Sequence, residues 1–260
     1  MTKHKLILTI AIIATISFGA AFAYNAYLHI GYFLDTRATR EDTAAMQDIF
    51  ASQLDMIHTG PASAENSETN AIPFISPITQ ARELTGNEDI VAYIHIDGTN
   101  ISNVVLQGSD NFFYLHRDMH RQHNVNGSLF LDYQNNPHFS DRSSIIYGHN
   151  MRNGTMFHNL RYFINADYFN TNRYITVFTE TEMLTYQVFA ALSANIAFDY
   201  IQVEFHNDTD FLNLVDELKR RSIQQSDITV RADDRIIILS TCTNTDNDWR
   251  FVVAGVLIAE

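Results

Sequence analysis

The chain has 260 residues, 46% of them hydrophobic and 12% aromatic, enough for one moderate domain with a buried core and unlike a disordered protein. Its formal net charge is −13, and Lys3 and Lys5 precede everything apolar, so the remainder is more acidic still. Such a surface repels phosphate backbones and argues against nucleic-acid binding, while a single cysteine, Cys242, rules out an intramolecular disulfide.

Residues 6–23 (LILTIAIIATISFGAAFA) carry no charge. As a helix these residues span about 27 Å, close to the hydrocarbon thickness of a bilayer. Lys3 and Lys5 lie before the segment, which by the positive-inside tendency leaves residues 1–5 in the cytoplasm and the bulk of the chain outside. The expectation is a single-pass cell-membrane protein with an anchor over residues 6–28. A cleaved signal peptide is the competing reading, because Ala21-Phe22-Ala23 has the small-x-small form of a cleavage site. Both readings put the main domain outside the cytoplasm.

Between residues 36 and 58, Met46, Ile49, Phe50, Leu54 and Ile57 recur at three- and four-residue steps, which predicts an amphipathic helix. Residues 59–77 (TGPASAENSETNAIPFISP) hold Pro61, Pro73 and Pro77 among Ser, Asn and Thr, and read as a linker. Residues 29–83 are therefore expected to form a helix and linker, and residues 84–260 the main domain. Eight short β-rich runs follow, at 90–96, 100–106, 128–132, 144–147, 174–179, 183–192, 235–240 and 250–258, punctuated by DGTN, NVNG and RADD. Helical patterns interrupt them at 151–163 and 208–221. Many short strands with few helices predict a mainly β fold, a closed or nearly closed barrel.

Cys242 follows the apolar run RIIILS, so a strand buried for five residues delivers it to the rim of the sheet. A structural cysteine behaves as a small buried hydrophobe and more often sits inside such a run. A nucleophilic thiol needs a base or cation nearby. His149 ends another strand, SSIIYGHN, and is the candidate base. Arg250 opens the last strand in NTDNDWRFVVAGVLI, where hairpin geometry returns its guanidinium beside Cys242. There it would stabilise a thiolate and the oxyanion of a tetrahedral intermediate, unless it only caps the acidic turn through Asp246 or Asp248. A further cluster, His116, His120 and His123, would share one face at helical spacing and could ligate a metal, but no carboxylate falls on that face and two arginines are interleaved. No metal or other cofactor is expected.

These motifs resemble those of the sortases, most closely their class B branch. The nucleophile motif Thr-Leu-x-Thr-Cys is read here as Ile238-Leu239-Ser240-Thr241-Cys242, with Ile238 departing at the first position. Tyr147-Gly148-His149-Asn150-Met151 and Asn153-Gly154-Thr155-Met156-Phe157 match the class B histidine segment. Ile94-x-Ile96-x-Gly98-Thr99-x-Ile101 and Val105-x-Gln107-Gly108 resemble the early strands, with Val104 where a proline is common. The resemblance spans residues 36–260. It implies a closed eight-stranded barrel with an N-terminal helix and a helix between late strands. It implies a membrane-anchored cysteine transpeptidase that cleaves a C-terminal sorting signal of Leu-Pro-x-Thr-Gly or Asn-Pro-x-Thr-Asn type after Thr. A thioacyl enzyme would then pass the surface protein to a peptidoglycan amine. Cys242 would be the nucleophile, His149 the acid and base, and Arg250, with a backbone N–H, the oxyanion partner. Tyr147, Ser240, Thr241 and Leu106 would line the substrate groove. A thiol hydrolase, a pilin-polymerising enzyme and a non-catalytic anchored assembly module are the alternatives.

Overall fold

Eight strands form where the hydrophobic runs predict them: β1 (Ile90–His95), β2 (Ser102–Leu106), β3 (Leu129–Leu131), β4 (Ser143–Gly148), β5 (Tyr174–Phe178), β6 (Met183–Asn195), β7 (Ile236–Cys242) and β8 (Trp249–Ala259). They close into a barrel in the order β1-β2-β3-β4-β7-β8-β6-β5, with β5 pairing back onto β1. The β2/β3 and β4/β7 pairs are parallel and the rest antiparallel. The computed structural model describes residues 3–59, 76–242 and 248–259, except for the side chains of residues 56–59, 242 and 259.

The run RIIIL is apolar on consecutive positions because β7 is buried on both faces. Ile237 and Leu239 join the cluster inside the barrel with Ile94, Val105 and Val253. Ile236 and Ile238 point outward into a second cluster beneath the helix α4 (Asp208–Arg221), against Phe211, Leu214 and Leu218. That helix is capped by the Asn207 side chain, which accepts from the Asp210 N–H at 3.0 Å. Asp208 and Asp210 in its first turn and Lys219, Arg220 and Arg221 in its last complement its dipole.

The apolar N-terminal segment and the amphipathic segment form one uninterrupted helix, α1 (Lys3–Thr59), of 57 residues. Its first part is exposed and apolar enough to cross a membrane, a candidate anchor. From Asp35 onward it docks on the barrel. Met46 and Phe50 are fully buried, Phe50 stacks on Tyr93 with ring centroids 4.0 Å apart, and Ile49 and Leu54 pack at the edge. The predicted Ile57 side chain lies outside the described residues.

Two readings of the sequence need correction. The linker reading ran through Pro77, yet α2 (Pro77–Thr85) begins there, because Ser76 accepts from the Ile78 N–H at 3.3 Å and Pro77 takes the first helical position. Ile78 and Ala81 of α2 bury into the cluster that receives α1. The expected helix at 151–163 is instead a loop closed by an Asn150–Met156 bridge, then a 3-10 helix (Phe157–Ile164) and the short α3 (Ala166–Thr171), started by the Asn165 cap. Gly154 at φ 84° and Met156 at φ 54° break the periodic pattern that suggested one helix.

Candidate active site

The register of three adjacent strands brings the predicted trio to one rim. In the parallel pair β4/β7, Gly148 lies opposite Thr241, so the residues that follow, His149 just past β4 and Cys242 at the end of β7, come side by side at the rim. In the antiparallel pair β7/β8, Cys242 lies directly opposite Arg250. Sequence separation is large, but the backbone positions of all three are neighbours. The Cys242 side chain lies outside the described residues. His149 and Arg250 both line a cleft of about 320 Å³ at this rim, together with Tyr147, Ser240 and Thr241.

His149 is held from two sides. Its Nε2 lies 2.7 Å from the Leu115 carbonyl oxygen in the 3-10 turn Tyr114–His116. A carbonyl only accepts, so Nε2–H donates and the lone pair of the neutral ring rests on Nδ1. Its backbone carbonyl accepts from the Phe157 N–H at 2.9 Å, closing the loop 149–157 behind it. Gly148 permits this closure, since a Cβ there would meet the Leu129 side chain and come within 2.9 Å of the Phe157 ring. Burial pushes the His149 imidazole below its ordinary value. The Leu115 hydrogen bond opposes that shift, and His116, whose ring stacks on His149 at 5.8 Å, adds to it.

A second polar set shapes the cleft wall. The Tyr147 hydroxyl and Asn111 Nδ2 both donate to Asp132 Oδ2 at 2.8 Å. Burial, with the Asp132 carboxylate next to it, raises the Tyr147 phenol far above its usual range, so it stays a neutral donor. Across the cleft the Tyr200 hydroxyl and Ser240 Oγ share a hydrogen bond of 2.8 Å. Phe112, Leu115 and Ile201 supply the apolar lining.

Of the residues predicted for the groove, Tyr147 lies on its wall, and Ser240 and Thr241 form its nearly closed floor, 2% and 3% exposed. Leu106 requires correction: it is fully buried and does not line the cleft. Its β2 position points out of the barrel, where α1, α2 and Tyr114 cover it, and Phe130 on β3 takes the lining place. The histidine cluster does not form a helical face either. The 3-10 turn ends at His116, Arg117 bridges to His123, and His120 Nε2 lies 3.2 Å from Asp42 Oδ1 on α1. Among the described residues no group of three His, Cys, Asp or Glu side chains is placed to hold a metal ion.

Sequence reasoning missed Asn111, Phe112, Leu115, Phe130, Tyr200 and Ile201, all lining residues. Five of them sit in turns and loops that carry no periodic signal. The aromatic residues set among polar ones in DNFFYLH and FDYIQ were the available hint.

Residues 94–258 match the Sortase domain family. Sortase B of Listeria monocytogenes is 37% identical over 179 residues, covering 67% of this chain and 72% of that protein. Sortase B of Staphylococcus aureus is 34% identical over 174 residues, covering 66% and 71%. The structure of the Staphylococcus aureus sortase B–substrate complex superposes with a TM-score of 0.74 at 28% identity, over 86% of this chain and 98% of that one. Clostridium perfringens sortase B superposes with a TM-score of 0.65 at 35% identity, over 68% and 99%. With the family matched over most of the chain and the barrel shared, the chain belongs to the sortase family of cysteine transpeptidases, in its class B branch.

Proposed function

We propose that this chain is a membrane-anchored sortase that cleaves the C-terminal sorting signal of surface proteins after Thr and passes the new carboxyl end to an amine of the peptidoglycan. His149 Nδ1 takes the Cys242 thiol proton as the sulfur attacks the threonyl carbonyl carbon, and gives that proton to the departing amine as the C–N bond to the next residue breaks. The resulting thioester is opened by an incoming amine, which gives its proton to His149, and His149 returns that proton to the departing Cys242 sulfur. Arg250 and a backbone N–H hold the negative charge on the tetrahedral oxygen at both stages. Because Nε2 of His149 is engaged by Leu115, proton transfer falls to Nδ1.

The observation that carries this reading is the strand register: Gly148 opposite Thr241 and Cys242 opposite Arg250 bring an imidazole, a thiol-bearing residue and a cation to one rim, beside a cleft of about 320 Å³. The apolar wall of Phe112, Leu115 and Ile201 suits the Leu-Pro or Asn-Pro half of a sorting signal, and the Tyr147–Asp132–Asn111 set suits its polar groups. Lys3 and Lys5 before the apolar stretch of α1 support an orientation with the barrel outside the cytoplasm, by the positive-inside tendency.

The test is incubation of the full chain with a panel of quenched Leu-Pro-x-Thr-Gly and Asn-Pro-x-Thr-Asn peptides, with and without an added amine, beside Cys242→Ala and Arg250→Ala. Cleavage with amine capture, lost in Cys242→Ala and largely lost in Arg250→Ala, is expected. Cleavage that persists in Cys242→Ala contradicts the mechanism, and products formed only with water point to a hydrolase.

A further inference from the structure

The two supports of His149 converge on one buried amide cluster that α1 completes. The first support, the turn bearing Leu115, is tied down by the Asn124 N–H, which donates to the His116 carbonyl at 3.0 Å. The second, the loop 149–157, is tied down by Asn153, whose Oδ1 accepts from the Thr155 N–H at 3.0 Å and from its hydroxyl at 2.7 Å. Asn126, with no exposed surface, joins them: its Oδ1 accepts from Asn153 Nδ2 at 2.9 Å and its Nδ2 donates to Asn124 Oδ1 at 3.1 Å.

Two threonines of α1 saturate this cluster. Thr36 Oγ1 accepts the second proton of Asn153 Nδ2 at 2.9 Å. Thr39 Oγ1 accepts from Asn126 Nδ2 at 3.0 Å and from Asn124 Nδ2 at 3.2 Å, and donates to the Asp35 carbonyl at 2.9 Å. Thr36, Thr39, Asn124 and Asn126 are each nine-tenths buried or more. Buried amides left half-satisfied are costly, so this set has one low-energy arrangement. Within the described residues no carboxylate is hydrogen-bonded to the His149 ring; a backbone carbonyl holds it, and that carbonyl is only as fixed as its turn.

We infer that Asn126, Asn153, Thr36 and Thr39 are positioning residues for the His149 imidazole, which makes the barrel-proximal end of α1 a part of the active-site support. The inference rests on the role proposed above for His149. It assigns α1 a second task beside anchoring: its threonines fix both halves of the clamp around the ring.

The full chain in detergent micelles is compared with Thr36→Val, Thr39→Val and the conservative Thr36→Ser and Thr39→Ser. Three readouts are taken: kcat and KM on a cleaved peptide, thermal unfolding, and the rate at which diethyl pyrocarbonate modifies His149, followed by peptide mass spectrometry. The valine variants are expected to lose about tenfold or more in kcat with KM changed less than twofold, as for a misplaced catalytic group. Modification of His149 should accelerate in them, and the serine variants should restore both values. Parent-like modification and kcat in the folded valine variants overturns the inference, as does a loss in the serine variants equal to that in the valines. Thr36→Val removes a single hydrogen bond and serves if Thr39→Val fails to fold. A parent chain that cleaves no peptide refutes the proposed function instead, and the modification rates still decide the positioning question.

Discussion

Replacing Gly127 with alanine inserts a methyl group where the main chain of the Tyr114–His116 turn passes closest. Gly127 has φ +58°, and its Cβ would lie 2.9 Å from the Tyr114 carbonyl oxygen and nearer still to that of Leu115, the acceptor for His149. Carbon and carbonyl oxygen ordinarily approach to about 3.3 Å, so the turn must retreat by roughly half an ångström or more. Holding alanine in the left-handed region costs about 1–2 kcal/mol. Weakening the Leu115–His149 hydrogen bond adds about 0.5–1.5 kcal/mol, so Gly127→Ala should lower unfolding stability by roughly 2–3 kcal/mol. The imidazole moves with its carbonyl, and a displacement of that size should lower kcat by about 10- to 100-fold. Urea unfolding followed by circular dichroism, with peptide cleavage on the same preparation, measures both. Stability within about 0.5 kcal/mol of the parent together with kcat within twofold would show that the turn does not hold the ring.

His116→Asn removes the neighbouring imidazole that, after burial, helps hold His149 below its ordinary 6.5. His149 then accepts its proton at higher pH, so the limb of the kcat/KM profile that it governs should move upward; an unmoved limb refutes the coupling. The same depressed value has a stability consequence: below pH 6.5 the unfolded chain binds a proton that folded His149 does not, so stability falls as pH falls. His149→Gln should therefore show a shallower loss of stability than the parent as pH falls below 6.5, and an equal loss would contradict the assignment. Tyr200→Phe removes the hydroxyl bonded to Ser240, which is 2% exposed. It should cost about 1–2 kcal/mol in urea unfolding, and an unchanged midpoint would show that Ser240 finds another partner.

The barrel was legible because its strands are buried on at least one face and carry short, β-branched apolar runs, such as IIIL of β7 and FVVAGVLI of β8. The rim positions of His149 and Arg250 were legible for a related reason, since each is a polar residue at the end of such a run. What escaped lies where local pattern is silent. Tyr200, Asn111 and Leu115 reach the cleft from loops, placed by contacts distant in sequence. Leu106 was misplaced because strand alternation says that a side chain faces one side, not that α1 and α2 cover the other. The helix α2 hid behind its own proline, although Ser76-Pro77 with Gly86 at the far end is a capping pattern. The amide cluster of Asn124, Asn126 and Asn153 read as ordinary loop composition. Only the closeness of Thr36 and Thr39, more than 80 residues away in the chain, gives it meaning.

Intact-mass measurement after brief mixing of the full chain with a sorting-signal peptide, quenched in acid, addresses the chemistry at its centre. A species heavier by the acyl part of the peptide, mapped to Cys242, lost on adding a primary amine and missing from Cys242→Ala, is the expected result. Efficient cleavage with no acyl-enzyme at any time, or an adduct on another residue, would contradict nucleophilic catalysis by Cys242.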